Sequence, residues 1–447
     1  MYFENKDILV LGAGASGIAA SRLATAHHAH VTLFDDNFAS FSDETLQELA
    51  ESGISIATGG IASLRQFQFD MAVVSPGVPL DSPAAIFAKE HTSALISELA
   101  FGASFIQAPI LAVTGTNGKT TTVEMLAHVL ASSGRRTVAA GNIGLPLSQV
   151  ALQGMELDAV VAEVSSFQLE LSDDFRPFAA ALLNVTPDHL NRHCTMEHYR
   201  DLKLGIFKHV ENPERRIVRA SLGHLLENCT TFSADANIPA DFGPALLEGT
   251  SLPFQGQHNM ENALAAIAMA ATLGIPARDS LNALSTFRTG HHRLETVASG
   301  NGIEFIDDSK ATNVDALIKA LETLRARDAS RPIALIAGGV DKGCSLEEAI
   351  PMLETSAIAH IAIIGSCAPR LAASWGHNAP CEICATMREA VDSSVQSLPA
   401  GGIVLLSPAC ASQDMFKDYA ERGDFFAVEA RHFCAPSNQK STFKMNQ

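Results

Sequence analysis

Short apolar runs of strand length alternate with helix-like segments along the first hundred residues. Three of these runs lie at 8–11 (ILVL), 31–34 (VTLF) and 71–75 (MAVVS), and a helix-like segment at 18–26 separates the first two. Buried strands that alternate with helices predict a parallel sheet covered by helices on both faces. We therefore predict an α/β domain over residues 1–97.

The same alternation restarts twice further along the chain. The later strand-length apolar runs lie at 109–113, 159–164, 179–185, 332–337, 360–364 and 402–407. A helix through Leu130 follows the first of them, and a long alanine-rich helix opens at Gly256 and continues to about Leu273. Because 447 residues exceed what one hydrophobic core usually organises, several domains are expected. We predict three successive α/β domains, with boundaries at 1–97, 98–289 and 290–447.

The charge and hydrophobicity of the chain limit which kinds of partner we expect. Lys and Arg total 31 against 49 acidic residues, a formal net charge of −18. Nucleic-acid binders present clustered positive charge, so we expect no nucleic-acid partner. No apolar run approaches the roughly 18–20 residues that span a bilayer, and the first residues do not resemble a signal peptide. We expect a cytoplasmic monomer without membrane insertion.

The eight cysteines are scattered and do not form a dense disulfide framework. Cys381 and Cys384 have the spacing of a redox or metal pair. No second CxxC and no neighbouring histidine cluster supports such a site, so we favour a structural role for both.

A glycine-rich turn between a predicted strand and a predicted helix has the composition of a phosphate loop. Its residues are Gly115, Thr116, Asn117, Gly118, Lys119 and Thr120. Backbone N–H groups and the helix N-terminus attract phosphate, Lys119 can reach the β- and γ-phosphates, and the Thr120 hydroxyl suits Mg²⁺. The strict P-loop pattern would require glycine at Val113, so a glycine turn with an exposed lysine remains the alternative.

Two further segments end predicted strands of the same sheet. Glu163 ends the strand at 159–164, and Asn184 to His189 (NVTPDH) ends the next. The carboxyl ends of parallel strands share one crevice, so these side chains are candidate ligands near the phosphate loop. Glu163 offers the oxygen that Mg²⁺ prefers, and His189 is a softer ligand. Lys203 lies on an amphipathic helix, where a lysine is normally a solvated surface residue.

The first glycine loop has the dinucleotide fingerprint Gly12-x-Gly14-x-x-Gly17, with Asp35 further along. Taken alone, this pattern predicts NAD or FAD. Its glycines and helix N-terminus recognise a pyrophosphate, however, and the same geometry serves other nucleotides. An NAD-dependent oxidoreductase is therefore one alternative function, and a ligand-free packing turn is another reading of the loop.

Eight blocks together resemble the Mur ligases, in family order over nearly the whole chain. They are GTNGKT (115–120), GNIG (141–144), EVSSFQLE (163–170), NVTPDH (184–189), GQHNMEN (256–262), HHRLE (291–295), DDSKATN (307–313) and SPACASQDMF (407–416). The closest match is to members that add D-glutamate. The last two blocks are the most specific, because GTNGKT and the HN helix also occur in folylpolyglutamate synthases.

The resemblance implies a fold and an activity. The fold would comprise a Rossmann-like UDP-binding domain, a central P-loop-type ATPase domain with a parallel sheet, and a Rossmann-like C-terminal domain for the amino acid. The activity would be ATP-dependent ligation of D-glutamate to UDP-N-acetylmuramoyl-L-alanine through an acyl-phosphate, in cytoplasmic peptidoglycan precursor synthesis. ATP and two Mg²⁺ ions would be required. A folylpolyglutamate synthase and a non-catalytic P-loop switch are the remaining alternatives.

The resemblance also implies roles for individual residues. The implied ATP contacts are Gly115, Thr116, Asn117, Gly118, Lys119, Thr120, Thr121, Asn259, Asn262, Arg293 and Asp308. The implied UDP-precursor contacts are Gly14, Ala15, Ser16, Asp35, Asp36, Ser75, Gly77 and Asn142. The implied glutamate contacts are Lys310, Thr312, Lys342, Ser412 and the backbone at Tyr419, where phenylalanine is usual.

Catalysis and metal binding are assigned in the same way. Lys119, His189 and Lys203 would be catalytic. Thr120 and Glu163 would bind a first Mg²⁺, and His189 and Lys203 a second. Lys203 would act as a carbamate, whose oxygens can ligate an ion that an ammonium would repel.

Overall fold

The computed structural model describes residues 3–36, 43–57, 60–254, 256–341, 343, 345–398 and 401–435. Three sheets follow one another along the chain, and helices accompany each of them. Two compact units contain these sheets. The first unit, which holds the first two sheets, comprises 1–184, 197–253 and 260–287, and the second comprises 185–196, 254–259 and 288–447. The predicted α/β class with three sheet-containing domains is confirmed.

The first sheet has five parallel strands in the order β3-β2-β1-β4-β5. Its elements are β1 (Asp7–Leu11), α1 (Ala15–Ala26), β2 (His30–Phe34), α2 (Asp43–Glu51), β3 (Ile54–Ala57), β4 (Met71–Val74), α3 (Pro83–His91), β5 (Leu95–Ser97) and α4 (Glu98–Ala103). Ile8 and Val10 pack into one core and Leu9 and Leu11 into another, so both faces are covered. The strand order reverses between β1 and β4, and such a point forms a ligand crevice at the carboxyl ends.

The second sheet has six parallel strands in the order β11-β10-β9-β6-β8-β7. Its strands are β6 (Ile110–Thr114), β7 (Thr137–Gly141), β8 (Ala159–Glu163), β9 (Ala179–Leu182), β10 (Arg216–Arg219) and β11 (Thr230–Phe232). The helices of this part of the chain are α5 (Lys119–Ser132), α6 (Leu147–Leu152), α7 (Ser166–Leu169), α8 (Leu190–His193), α9 (Met196–Leu204), α10 (Gln257–Ala271) and α11 (Ala277–Leu284). Strand β6 is central and fully buried, so the loop that follows it starts from a rigid position.

The third sheet has six strands in the order β12-β13-β17-β14-β15-β16. Its elements are β12 (Glu295–Gly300), β13 (Ile303–Asp307), α12 (Val314–Arg327), β14 (Ile333–Gly338), α13 (Ile350–Thr355), β15 (Ile358–Ile364), α14 (Ala368–Trp375), β16 (Cys381–Ile383), α15 (Met387–Gln396), β17 (Gly402–Leu406) and α16 (Tyr419–Cys434). Only β12 runs antiparallel to its neighbour, β13, and Asn301 and Gly302 join the two with positive φ angles. An Asn-Gly pair adopts these angles readily, which makes a tight hairpin.

The two cysteines with redox spacing lie at an edge strand of this sheet. Cys381 packs against the core on one face, with Leu371 and Trp375, whereas Cys384 belongs to the core on the other, with Met387 and Ala390. Side chains three positions apart along extended chain point to opposite faces. The two thiols are therefore positioned for packing and not for a shared disulfide or metal ion.

The structure also bears on membrane insertion. In the ranges that it describes, no helix is both long and apolar enough to cross a bilayer.

Candidate active site

The phosphate loop joins the buried end of β6 to the first turn of α5, as predicted. Gly118 caps this helix in a left-handed conformation, with φ of 84°. A Cβ atom added there would lie 2.3 Å from Oδ1 of Asn262 on α10. Glycine is thus required both by the backbone angle and by the close approach of α10. The loop and Asn262, two predicted parts of the ATP site, lie together.

Asn184 holds the loop in shape from the neighbouring strand. Its Oδ1 accepts hydrogen bonds from the backbone N–H groups of Thr116 (3.0 Å) and Asn117 (2.8 Å). Its Nδ2 donates to the Asn117 carbonyl at 3.0 Å. Asn184 follows β9, which pairs with β6, so parallel pairing brings it beside the loop. We did not assign it a role from the sequence, although it opens the NVTPDH block.

Two lysines converge on one carbonyl of the loop. Lys119 Nζ donates to the carbonyls of Gly115 (3.0 Å) and Thr116 (2.8 Å), and Lys203 Nζ donates to Gly115 at 2.7 Å. Only 1% of Lys203 is exposed, and its Nζ lies 4.5 Å from the Tyr199 ring centroid. The expectation of a solvated Lys203 is wrong, because α9 buries this face against the loop. Two lysine amines therefore lie together beside a phosphate-binding turn.

Glu163 connects the phosphate loop with a second loop. It ends β8 and is 3% exposed. Its Oε2 accepts from the Thr120 hydroxyl at 2.6 Å, and its Oε1 accepts from Asn142 Nδ2 at 2.8 Å. Thr120 and Glu163, the two predicted first-metal ligands, are therefore in direct contact. Thr121, the next residue of α5, is buried.

These oxygens fit Mg²⁺, which is commonly held by one or two protein oxygens together with substrate phosphates. Among the residues that the structure describes, no group of three or more His, Cys, Asp or Glu side chains is arranged to hold a metal ion. An ion at Thr120 and Glu163 would therefore take its remaining ligands from phosphate oxygens and water.

A separate cavity of about 450 Å³ lies at the carboxyl ends of β1 and β4. Its lining includes Gly14, Ala15, Ser16, Asp35, Asp36, Ser75 and Gly77, the predicted UDP-precursor contacts of the first domain. Sequence reasoning missed further lining residues: Phe34, Pro76, Val78 and Ser82. The predicted contact Asn142 does not line this cavity and lies beside Glu163 instead. A volume in this range suits a small-molecule group.

Backbone contacts shape this cavity. Asp35 Oδ2 accepts from the Ala13 N–H at 2.7 Å, and the Ser75 hydroxyl donates to the Gly12 carbonyl at 3.1 Å. A Cβ atom on Gly17 would lie 1.7 Å from that same carbonyl. The third glycine of the fingerprint is therefore needed for the close packing of α1 against the turn.

The predicted histidine ligand belongs to the second compact unit. His189 caps α8 with φ of 54°, and its backbone N–H donates to Asp188 Oδ1 at 2.9 Å. Asp188 Oδ2 accepts from Asn313 Nδ2 at 3.1 Å, which ties this segment to the cap of α12. Asn259 also falls in this unit, whereas Glu163 and Lys203 fall in the first.

A buried arginine organises the loops that carry the predicted glutamate contacts. Arg422 on α16 is 0% exposed, and its guanidinium donates to Ser309 O (2.8 Å), Ser309 Oγ (3.0 Å) and Cys410 O (3.1 Å). The Ser309 hydroxyl donates to the Tyr419 carbonyl at 2.7 Å. Burial lowers the pKa of Arg422 to about 10, which leaves it charged at neutral pH. Sequence reasoning missed both Arg422 and Ser309.

The other predicted glutamate contacts lie on the loops that Arg422 joins. Lys310 and Thr312 follow Ser309, and Lys310 Nζ is 4.8 Å from the Tyr419 ring centroid. Ser412 lies two residues beyond Cys410 and is buried. The predicted contact Lys342 lies outside the described residues.

Asp308, a predicted ATP contact, has a pKa far above that of an ordinary aspartate. It accepts from the Ser407 hydroxyl (2.9 Å) and from the Leu294 N–H (3.3 Å). Burial raises its pKa to about 7, and the opposing effects of these bonds and of the Arg293 charge are smaller. Arg293 is thus electrostatically coupled to Asp308, its predicted partner in ATP binding.

Several known proteins are similar to this chain over nearly its whole length. A protein from Thermoanaerobacter sp. (strain X514), named UDP-N-acetylmuramoylalanine--D-glutamate ligase, is 37% identical over 95% of this chain and 98% of its own length. Proteins of the same name from Geotalea uraniireducens and Trichlorobacter lovleyi are each 36% identical and cover 95% and 96% of this chain, and 97% and 100% of their own lengths. The chain belongs to the Mur ligase family.

Family models describe the same relationship part by part. The Mur ligase MurD-like N-terminal domain matches residues 6–97, the Mur ligase middle domain matches 113–238, and the Mur ligase glutamate ligase domain matches 292–410. The resemblance predicted from the sequence blocks is confirmed.

Solved Mur ligase structures share the fold. UDP-N-acetylmuramate-alanine ligase MurC from Thermotoga maritima aligns with a TM-score of 0.57 at 20% identity, over 96% of this chain and 99% of that one. A pseudomurein peptide ligase type C from Methanothermus fervidus aligns with a TM-score of 0.58 at 16% identity, over 95% and 99%. At these identities the likeness concerns the three-domain fold alone.

The raised pKa of Asp308 predicts a pH-dependent contribution to Mur ligase stability. A carboxyl with an ordinary pKa of 3.8 and a folded pKa of about 7 stays protonated in the folded protein over a range where the unfolded chain ionises. Its contribution to stability is complete below pH 4 and is lost as pH rises through 7. Relative to Asp308→Asn, the wild-type free energy of unfolding should therefore fall by at most about 4 kcal/mol between these limits. Urea unfolding at a series of pH values measures this, and parallel curves for the two proteins would contradict it.

Proposed function

We propose that this chain is an ATP-dependent amide ligase that adds D-glutamate to UDP-N-acetylmuramoyl-L-alanine through an acyl-phosphate. The observation that carries the proposal is the contact of Thr120 with Glu163 beside two loop-bound lysines, in a chain whose full-length relatives bear that ligase name. The product would be a precursor of peptidoglycan. We also propose that the enzyme acts in the cytoplasm and that it is a monomer.

Each substrate has a proposed place. The cavity at β1 and β4 receives the UDP part of the precursor, with Asp35 and Asp36 near the base and Ser75 and Gly77 near the pyrophosphate. Asn142, which lies outside the cavity lining, is a further proposed contact of the pyrophosphate. The ATP phosphates lie on the loop at 115–120. The loops that Arg422 joins receive the amino acid through Lys310, Thr312 and Ser412, together with Lys342 and Tyr419.

The first step forms the acyl-phosphate. A carboxylate oxygen of the precursor bonds to the γ-phosphorus of ATP as the bond from that phosphorus to the bridging oxygen of ADP breaks. The loop N–H groups and Lys119 neutralise charge on the transferring phosphoryl group, and this electrostatic stabilisation is the usual source of rate in phosphoryl transfer. Asn184 contributes by fixing the N–H groups of Thr116 and Asn117 in place.

The second step forms the amide. The glutamate amine attacks the acyl carbon, a tetrahedral intermediate forms, phosphate leaves and the nitrogen loses a proton. The protein's task is to bring three substrates together in reactive geometry, which lowers the entropic cost of the reaction.

Two magnesium ions are proposed, and they would neutralise phosphate charge during transfer. Thr120 and Glu163 are the proposed ligands of the first. His189 and Lys203 are the proposed ligands of the second, with Lys203 as a carbamate formed when CO₂ adds to its neutral amine and a proton is released. Burial of Lys203 beside Lys119 supports this, because two adjacent ammonium groups repel each other.

Phosphate release from ATP tests the proposed function directly. Purified protein with Mg²⁺ and UDP-N-acetylmuramoyl-L-alanine should release phosphate when D-glutamate is added, and far less with L-glutamate or with no amino acid. Release that does not depend on an amino acid would favour a P-loop switch. Hydride transfer from NADH without phosphate release would favour the oxidoreductase alternative.

If Lys203 acts as a carbamate, a small carboxylic acid should restore activity to a variant that lacks this lysine. Lys203→Ala should lower turnover on the order of a hundredfold, as expected when a charge-stabilising group is removed from an active site. Added formate or acetate should restore part of the activity, because a free carboxylate can replace the missing oxygens. Lys208→Ala is the matched control, since Lys208 is exposed and pairs with Asp173 in a surface salt bridge that contributes little. Full activity in Lys203→Ala would exclude the carbamate.

A further inference from the structure

A buried carboxyl outside the proposed mechanism lies where the first sheet meets the elements of the second. Glu98 is the first residue of α4, immediately after β5, and only 1% of it is exposed. Its Oε1 accepts from the backbone N–H of Ser148, in the first turn of α6, at 2.7 Å. Both residues belong to the first compact unit. Burying a carboxyl group costs free energy unless hydrogen bonds compensate for the lost contact with water. The hydrogen bond from α6 is therefore important for keeping Glu98 in this position.

The packing around this bond leaves no room for adjustment. Gly102 lies one turn after Glu98, and a Cβ atom there would be 2.3 Å from Ser148 N and 2.6 Å from the carbonyl carbon of Leu147. The preceding residue, Ser97, donates its N–H to the Leu171 carbonyl at 2.8 Å, and its hydroxyl is 2.6 Å from that of Ser172. The start of α4 is therefore attached at two separate points, one on α6 and one just after α7.

Helix α6 in turn fixes the loop that precedes it. The Gly141 N–H donates to the Leu145 carbonyl at 2.8 Å, and this loop leads through Pro146 into α6. Within it, the Asn142 N–H donates to the Glu163 carbonyl at 2.9 Å, and Asn142 Nδ2 donates to the Glu163 carboxylate. Because only three residues separate Asn142 from Pro146, the cap of α6, a displaced α6 would also displace the loop that carries Asn142, a predicted contact of the UDP precursor.

The charge state of Glu98 depends on the same bond. Burial raises its pKa, and the hydrogen bond from Ser148 opposes this. An uncharged glutamine of the same length could also accept from the Ser148 N–H, whereas alanine could not and aspartate would be one methylene too short. These three substitutions separate the hydrogen bond from the charge and from the volume of the side chain.

We propose that Glu98 is a positioning residue that fixes the start of α6 and, through it, the Asn142 loop that receives the pyrophosphate end of the UDP-linked precursor. This inference rests on the proposed function for the identity of the precursor. The proposed role predicts that a substitution of Glu98 on α4 weakens binding of the precursor without weakening binding of adenine nucleotide.

Isothermal titration calorimetry on the full chain tests the inference, with UDP-N-acetylmuramoyl-L-alanine and Mg-ADP as separate ligands. Glu98→Ala should raise the Kd of the precursor about tenfold, the scale on which the loss of one hydrogen bond acts, while the Kd of Mg-ADP changes less than threefold. Glu98→Gln should stay within about threefold of wild type for both ligands. Glu98→Asp provides the test if the alanine variant does not fold, with a smaller rise for the precursor alone. Thermal unfolding establishes that each variant is folded.

The possible results distinguish the inference from the function on which it rests. An unchanged Kd for the precursor in folded Glu98→Ala or Glu98→Asp overturns the positioning role. Equal weakening of precursor and Mg-ADP binding overturns it too, because that indicates general loss of structure. If the variants behave as expected but wild-type protein releases no phosphate with D-glutamate, the ligase proposal fails while the role of Glu98 in precursor binding stands.

Discussion

The arrangement of the nucleotide-binding unit depends on one buried carboxylate, Glu163. A carboxylate this far from solvent must be supplied with donors or a cation, and here the donors are Thr120 from the phosphate loop and Asn142 from the neighbouring loop. The two loops are therefore joined through a single side chain at the end of β8. Thr120 and Glu163, the proposed ligands of the first Mg²⁺, thus lie beside Asn142, a proposed precursor contact.

Three other buried ionisable side chains also connect separate segments of the chain. Lys203 is out of solvent and donates to a carbonyl of the phosphate loop, so a residue from α9 contacts the proposed ATP site. Glu98 fastens α6 and thereby the Asn142 loop. In the second compact unit, Arg422 gathers backbone carbonyls from separate loops around the proposed amino-acid site. Each of these groups would be costly to bury without a hydrogen bond. Glu98 and Lys203 each bond to one backbone group, and Arg422 bonds to several, so a substitution would leave backbone groups unsatisfied.

Much of this was predictable because strands and phosphate loops have local signatures. The apolar runs of β1, β6 and β14 and the GTNGKT turn could be identified by inspection, and the family blocks extended the prediction to the whole chain. Short strands such as β3, β5 and β16 were missed because three or four residues carry too little periodicity. The β12–β13 hairpin was missed although Asn301-Gly302 is a local signal for it. Lys203, Asn184, Arg422 and Glu98 could not be assigned by physics because their roles arise from distant segments that only folding brings together.

The Mg²⁺ dependence of phosphate release tests the central role of Glu163 most directly. Wild type, Glu163→Gln and the surface control Glu156→Gln, which alters an exposed pair with Arg136, would be compared across a Mg²⁺ titration with all substrates present. The account predicts that Glu163→Gln, shown to be folded by thermal unfolding, needs at least about tenfold more Mg²⁺ or loses turnover, whereas Glu156→Gln matches wild type. A Glu163→Gln variant with wild-type turnover and an unchanged Mg²⁺ requirement would contradict it.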